Sequence, residues 1–83
     1  MPKIQIYSTS WCAYCKAEMR FLDEKGVKYE DIDVEHDDAA ARFMVEMSGQ
    51  MGVPFTLITH DDGTKAGQVG FDQEWLTTQL KLA

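Results

Sequence analysis

No window of the sequence approaches the ~18 consecutive apolar residues that a bilayer-spanning helix needs, and the start, Met1-Pro2-Lys3-Ile4-Gln5-Ile6-Tyr7, lacks the apolar stretch of a signal peptide. Membrane association is therefore not expected, and a cytoplasmic location is. Basic residues are also scarce: eight Lys and Arg stand against fourteen Asp and Glu, a formal charge of -6 at pH 7. That is the wrong sign for a surface that neutralises phosphates, which sets nucleic acid aside as a partner. There are two cysteines, Cys12 and Cys15. A disulfide closing so short a loop removes little unfolded-state entropy, so the pair reads as chemistry rather than as a structural clip. Internal repeats, linkers and low-complexity tracts are missing as well. What is present is a chain of 83 residues, 45% hydrophobic, which is enough for one core and one domain over residues 1–83.

Lys3-Ile4-Gln5-Ile6-Tyr7 alternates polar and apolar with β-branched isoleucines, the pattern of a short strand. After a Ser8-Thr9-Ser10 turn, residues 13–25 are rich in helix formers. Cys15, Met19 and Leu22 form one stripe and Tyr14, Ala17 and Phe21 another, with Gly26 as a left-handed cap. Residues 27–34 carry Tyr29, Ile32 and Val34 among acids and read as a strand at a sheet edge. Asp37 or Asp38 caps a second helix through Ala40, Phe43, Met44 and Met47, closed by Gly49. Residues 55–59 and 65–69 flank the turn residues Asp62-Gly63 as a hairpin, and Asp72 caps a last helix that carries Trp75, Leu76 and Leu80 to the core. The fold class predicted is α/β in the order β-α-β-α-β-β-α, a four-stranded mixed sheet flanked by three helices.

Cys12-Ala13-Tyr14-Cys15 falls where the loop after the first strand becomes the first helix, which puts Cys12 near the helix N-cap and Cys15 about one turn inward. Unpaired amides and the positive end of the helix dipole favour a thiolate at Cys12, and Lys16 adds a modest positive field. A free thiol with a pKa of ~8.5 is only a few per cent ionised at pH 7, so such a site must lower that value toward neutrality to make half of it nucleophilic. Cys12 would then attack a substrate disulfide, and Cys15 would displace the product from the mixed disulfide. Trp11 and Tyr14 offer flat apolar surface for that disulfide, or are simply partly exposed packing residues. Two other readings of the pair are buried structural thiols and a metal site completed by His36 and His60. A zinc site needs a second ligand pair at a workable spacing, and these histidines lie in separate polar loops.

These residues resemble the glutaredoxin family within the thioredoxin fold over essentially the whole chain. The matching features are Ser10-Trp11-Cys12-Ala13-Tyr14-Cys15 after the first strand, residues 29–34 as the second strand, Val53-Pro54 before the third, and Gly70-Phe71-Asp72 at the last helix. The Cys-x-Tyr-Cys form is more similar to glutaredoxins than to thioredoxins, which usually carry Gly-Pro between their cysteines. The resemblance implies that Pro54 follows a cis bond and packs beside the cysteines. It also implies that Val53 offers backbone groups to a bound peptide or glutathione, in the manner of an added strand. In glutaredoxins a Gly-Gly pair and an acid receive the two ends of glutathione. Here Phe71 stands at the second glycine, and Gly70-Phe71-Asp72 is more similar to the shorter glutaredoxin-like redoxins, including those that reduce ribonucleotide reductase and draw electrons from thioredoxin reductase. Asp72 also has a structural role open to it as an N-cap. The Trp-Cys-x-Tyr-Cys form is similar, further, to mycoredoxins, which resolve mixed disulfides with mycothiol. With Ala13 in place of the usual proline, it is similar to glutaredoxins that hold a two-iron cluster between two subunits.

Glu30, Asp31, Asp33, Glu35, Asp37 and Asp38 form an acidic run without a basic residue, either a solvated face or a field that steers a basic partner. Together, the residues and the resemblance predict a monomeric thiol–disulfide oxidoreductase with Cys12 and Cys15 catalytic. Trp11, Tyr14, Val53, Pro54, Gly70, Phe71 and Asp72 would contact the substrate or thiol. Disulfide-containing proteins are the expected partners. Glutathione, another low-molecular-weight thiol or thioredoxin reductase would supply electrons, with no metal and no tightly bound cofactor. The alternatives are an iron–sulfur carrier and a redox-inactive binding module on the same fold.

Overall fold

Period-two alternation sorts the strand residues onto two faces of one sheet. In the computed structural model, which describes residues 1–82, β1 (Lys3–Ser8) and β3 (Phe55–Thr59) turn Ile4, Ile6 and Ile58 to one side and Tyr7, Phe55 and Leu57 to the other. The isoleucines are covered by Phe21 and Leu22 of α1 (Ala13–Glu24) and by Leu76 of α3 (Gln73–Leu80). The opposite face packs on Met44 of α2 (Asp38–Ser48), with the Tyr7 ring 5.8 Å from Phe55 and 5.9 Å from Phe43. The sheet order is β2-β1-β3-β4, where β2 (Glu30–Asp33) runs parallel to β1, and β3 is antiparallel to both β1 and β4 (Lys65–Val69). The predicted element order and mixed four-stranded sheet are thus reproduced, with the acidic strand at an edge. Among the described residues no helix is long and apolar enough to cross a membrane.

Local chemistry sets the boundaries. Asp37 rather than Asp38 caps α2, its carboxylate accepting the Ala40 amide at 3.0 Å, and Gly49 ends the helix at φ 77°. At the end of α1, Val27 N–H donates to Leu22 O and Gly26 N–H to Asp23 O, with Gly26 at φ 69°. This is the paired closure of a Schellman motif. It explains why the second strand is shorter than the predicted 27–34: Val27 is tied back to the helix, so pairing with β1 begins only at Glu30.

The inner face of α1 also differs from the two predicted stripes. Its buried residues are Cys15, Glu18, Phe21 and Leu22, whereas Tyr14 is 70% exposed. A carboxylic acid therefore occupies the middle of an otherwise apolar face. Glu18 is 0% exposed; the Thr56 hydroxyl of β3 donates to its Oε2, and its Oε1 has no partner among the described residues. Burial pushes the Glu18 carboxyl up to about 7, against the Thr56 hydrogen bond, which favours the anion. The folded state thus keeps a proton that the unfolded chain gives up above pH 4.5. Its stabilising contribution is full below that value and is lost as pH rises through about 7.

Two expectations follow. In urea unfolding, Asp37→Ala lowers stability by about 1 kcal/mol, while Asp37→Asn, which keeps an accepting oxygen, retains most of it. Between pH 4.5 and about 7 the protein loses stability relative to Glu18→Gln, on the order of 3 kcal/mol at about 1.4 kcal/mol per pH unit. Parallel stability curves for the two would contradict the buried acid's assigned role.

Candidate functional site

The interior strand β1 runs into the loop that opens α1, and the C-terminal ends of such strands are where open α/β sheets gather their ligands. Cys12 is the N-cap of α1, with extended backbone at φ -82° and ψ 111°. Its Sγ accepts the Cys15 N–H at 3.1 Å, and its carbonyl accepts the Lys16 N–H at 3.3 Å. Sulfur here takes the place of the Ser or Asp oxygen that usually meets the third amide of a helix. The two-residue spacing of the cysteines is therefore the spacing of a cap and its amide partner.

Both cysteines are free, and both are enclosed: Cys12 is 5% exposed and Cys15 1%. That leaves Cys12 less open than its place in a loop suggests. The Cys15 thiol is pushed up to about 12, first by burial and then by its hydrogen bond to Cys12, with the charges of Cys12 and Glu18 adding and the Thr9 backbone opposing. Cys15 is accordingly a protonated thiol across the neutral range.

Trp11 precedes the pair and Tyr14 lies between its two cysteines, each 70% exposed. Beside Trp11 lies an apolar cavity of about 210 Å³ lined by Trp11, Met44, Val45, Met51 and Val53 among others. The Val53-Pro54 bond is cis, as the resemblance implies, and Pro54 is buried. The Pro54 carbonyl accepts the Gly70 N–H at 2.8 Å, and Gly70 itself takes φ 89°, in the left-handed region. Trp11, Val53, Pro54 and Gly70 are linked in this way to one side of the cysteine loop. Phe71 faces the core, its ring 5.9 Å from Phe21, and Asp72 caps α3 by accepting the Trp75 amide at 3.0 Å.

The other side is polar. A second cavity of about 210 Å³ has Ser8, Cys15, Lys16, Asp31 and Asp33 on its wall. The Ser8 hydroxyl donates to Asp31, and the Ser10 hydroxyl to Glu35 at 2.8 Å. His36 Nδ1 lies 2.8 Å from Asp33 Oδ2, and His60 Nε2 lies 2.9 Å from Gln79 Oε1. Neither histidine joins the cysteines: among the described residues no cluster of metal-ligating groups includes Cys12 or Cys15. Two residues escaped the sequence reading. Met51 follows the α2 cap with no periodicity to mark it. Glu18 had a usable signal, because an acid three residues after Cys15 and four before Leu22 must share their face.

Comparison with known proteins places this site in a family. The glutaredoxin family model matches residues 4–61. Mycoredoxin 1 of Corynebacterium glutamicum is 36% identical over 67 residues, covering 80% of each chain. A glutaredoxin homologue of Mycobacterium tuberculosis is 39% identical over 46 residues, 55% of each, so the chain spans about half the length of that relative. The solved structure of the glutaredoxin-like protein NrdH-redoxin from Escherichia coli superposes with a TM-score of 0.76 at 25% identity over 92% of both chains. With its cysteine pair capping α1, its cis proline and its thioredoxin-like sheet, the chain belongs to the glutaredoxin family.

Proposed function

We propose that this protein is a dithiol thiol–disulfide oxidoreductase that reduces disulfides of other proteins, with Cys12 as nucleophile and Cys15 as resolving thiol. The observation that carries the reading is the 3.1 Å hydrogen bond from the Cys15 amide to Cys12 Sγ at the start of α1. An amide of the first helical turn aimed at a sulfur stabilises negative charge there. Cys15, raised to about 12, keeps its proton until substrate arrives.

Cys12 thiolate attacks one sulfur of the substrate disulfide, whose S–S bond breaks and releases the other sulfur as thiolate. Cys15, after losing its proton, attacks Cys12 Sγ and expels the second substrate thiolate. The substrate gains two electrons, and the protein is left with a Cys12–Cys15 disulfide for an external dithiol to reduce. Trp11, Tyr14 and Val53 form the surface on which the substrate rests, and Pro54 with Gly70 holds that surface in place. No tightly bound cofactor is required, and the cytoplasm, where thiols stay reduced, suits this chemistry. The electron donor we assign is thioredoxin reductase, with glutathione or another small thiol as a slower source. Two observations support that order: Asp72 is engaged as a helix cap, and Phe71 is packed on Phe21 where glutathione-binding relatives carry glycine.

Cys12→Ser reduces disulfide turnover to background, and Cys15→Ser accumulates a substrate mixed disulfide on Cys12 that intact-mass spectrometry detects. Full turnover by Cys12→Ser would overturn the roles. Side by side, turnover with thioredoxin reductase exceeds turnover with glutathione and its reductase; the reverse order would make glutathione the donor.

A further inference from the structure

Cys15 must lose a proton before it can attack, yet it is 1% exposed and its thiol holds that proton tightly. We propose that Glu18 is the internal proton acceptor for Cys15, taking the thiol proton on Oε1 as Cys15 closes the disulfide and returning it when the disulfide is reduced. The assignment rests on the dithiol reading above and supplies its missing proton step.

Placement argues for it first. Residues three apart on a helix share a face, with Cβ atoms about 5–6 Å apart. Helical side chains lean toward the N-terminus, which lays Glu18 back over the turn that carries Cys15. Glu18 is 0% exposed, so its carboxyl stays within the core rather than reaching to solvent. Oε2 is engaged by Thr56, and Oε1 is a buried acceptor with no partner among the described residues. Leaving such an atom unpaired is unfavourable, and an apolar side chain would fill this face without that penalty.

Charge argues next. Ionised Glu18 is one of the groups that keep the proton on Cys15. Releasing that proton to solvent would leave two anions in the core, whereas passing it to Glu18 leaves one. The step balances as Cys12–S–S–R with Cys15–SH and the Glu18 carboxylate giving the Cys12–Cys15 disulfide, the thiolate of R and the Glu18 carboxylic acid. The Cys15–S bond to Cys12 forms, the Cys12–S bond to R breaks, and the electron pair leaves with R. Attachment of R to Cys12 also removes the hydrogen bond and charge by which Cys12 resists ionisation of its neighbour. A carboxyl raised to about 7 exists in both forms near neutrality, as a group that takes and returns a proton must. The other titratable groups facing Cys15 are Lys16 and, from β2, Asp31 and Asp33 across the polar cavity. Both of these acids are exposed and already engaged, by Ser8 and His36.

The test mixes reduced protein with one equivalent of dithiobis-nitrobenzoate and follows release of the coloured thiolate. A first phase reports attack by Cys12, and a second reports closure by Cys15. In the native protein the second phase accelerates with pH through about 7, the value at which Glu18 ionises. In Glu18→Gln, which preserves the acceptor for Thr56, the second phase slows on the order of 10²-fold near neutrality and loses that rise. A second phase with native rate and pH profile in Glu18→Gln overturns the proposal alone, while absence of a second phase from the native protein overturns the dithiol reading. Carbon-13 resonances of the Glu18 carboxyl in the native protein give a check that needs no variant. Titration near neutrality supports the assignment, and titration in the ordinary carboxylate range, ~4.3, overturns it.

Discussion

The first turn of an α-helix leaves amides that the helix itself cannot pair, and that shortage couples this fold to its chemistry. All three helices resolve it alike: Asp37 accepts the Ala40 amide, Asp72 the Trp75 amide and Cys12 the Cys15 amide, each from the cap to the third helical residue. In α2 and α3 the acceptor is a carboxylate and the result is structural. In α1 the same geometry is occupied by sulfur, a weaker cap but a polarisable nucleophile. A position that ordinarily stabilises a helix end is here held by a sulfur, and the residue that donates the amide is the one that carries the second sulfur.

A consequence for stability runs the other way. An acid with no exposure and one unpaired oxygen belongs to the small class of interior groups that weaken a fold unless neutralised. Thr56 supplies one hydrogen bond, which favours the anion, yet burial wins and the carboxyl sits near 7. The core beneath Cys15 is therefore left poised between two protonation states, while the isoleucine layer around Ile4, Ile6 and Ile58 carries the packing. Both occupy one face of the sheet at different depths along α1, with Cys15 near its start, Glu18 at its middle and Phe21 and Leu22 beyond.

Much of this was legible because the local signals agreed with one another. Gly26, Gly49 and Gly63 take positive φ where the sequence demanded a stop or a turn, and Asp72 caps the helix it precedes. The cysteine pair is legible from its position after a strand and at the opening of a helix. What escaped depends on tertiary context. The Schellman closure that binds Val27 to Leu22 and shortens β2 is a backbone choice that the apolar residues Val27 and Tyr29 disguise as strand. The enclosure of Cys12 arises from the loop's path rather than from its composition. Acids on an amphipathic helix generally face solvent, whereas Glu18 turns inward because a hydroxyl from β3 meets it there.

The two sides of the cysteine loop differ in kind, and that difference bears on how a partner approaches. Toward α2 lie Trp11, Met51 and Val53 around an apolar cavity, a surface that gains from being covered whatever the partner's charge. Toward β2 lie Asp31, Asp33 and Glu35, with Glu35 tied to the loop through Ser10 and the acidic run continuing to Asp38. The charges on this side are exposed, so their influence extends about a Debye length, roughly 8 Å at physiological ionic strength, and weakens with salt. Cys12, 5% exposed, sits in the loop that both sides border. Apolar surface and exposed acidic charge thus border the cysteine loop on different sides, the first gaining from any apolar cover and the second repelling like charge over that short range.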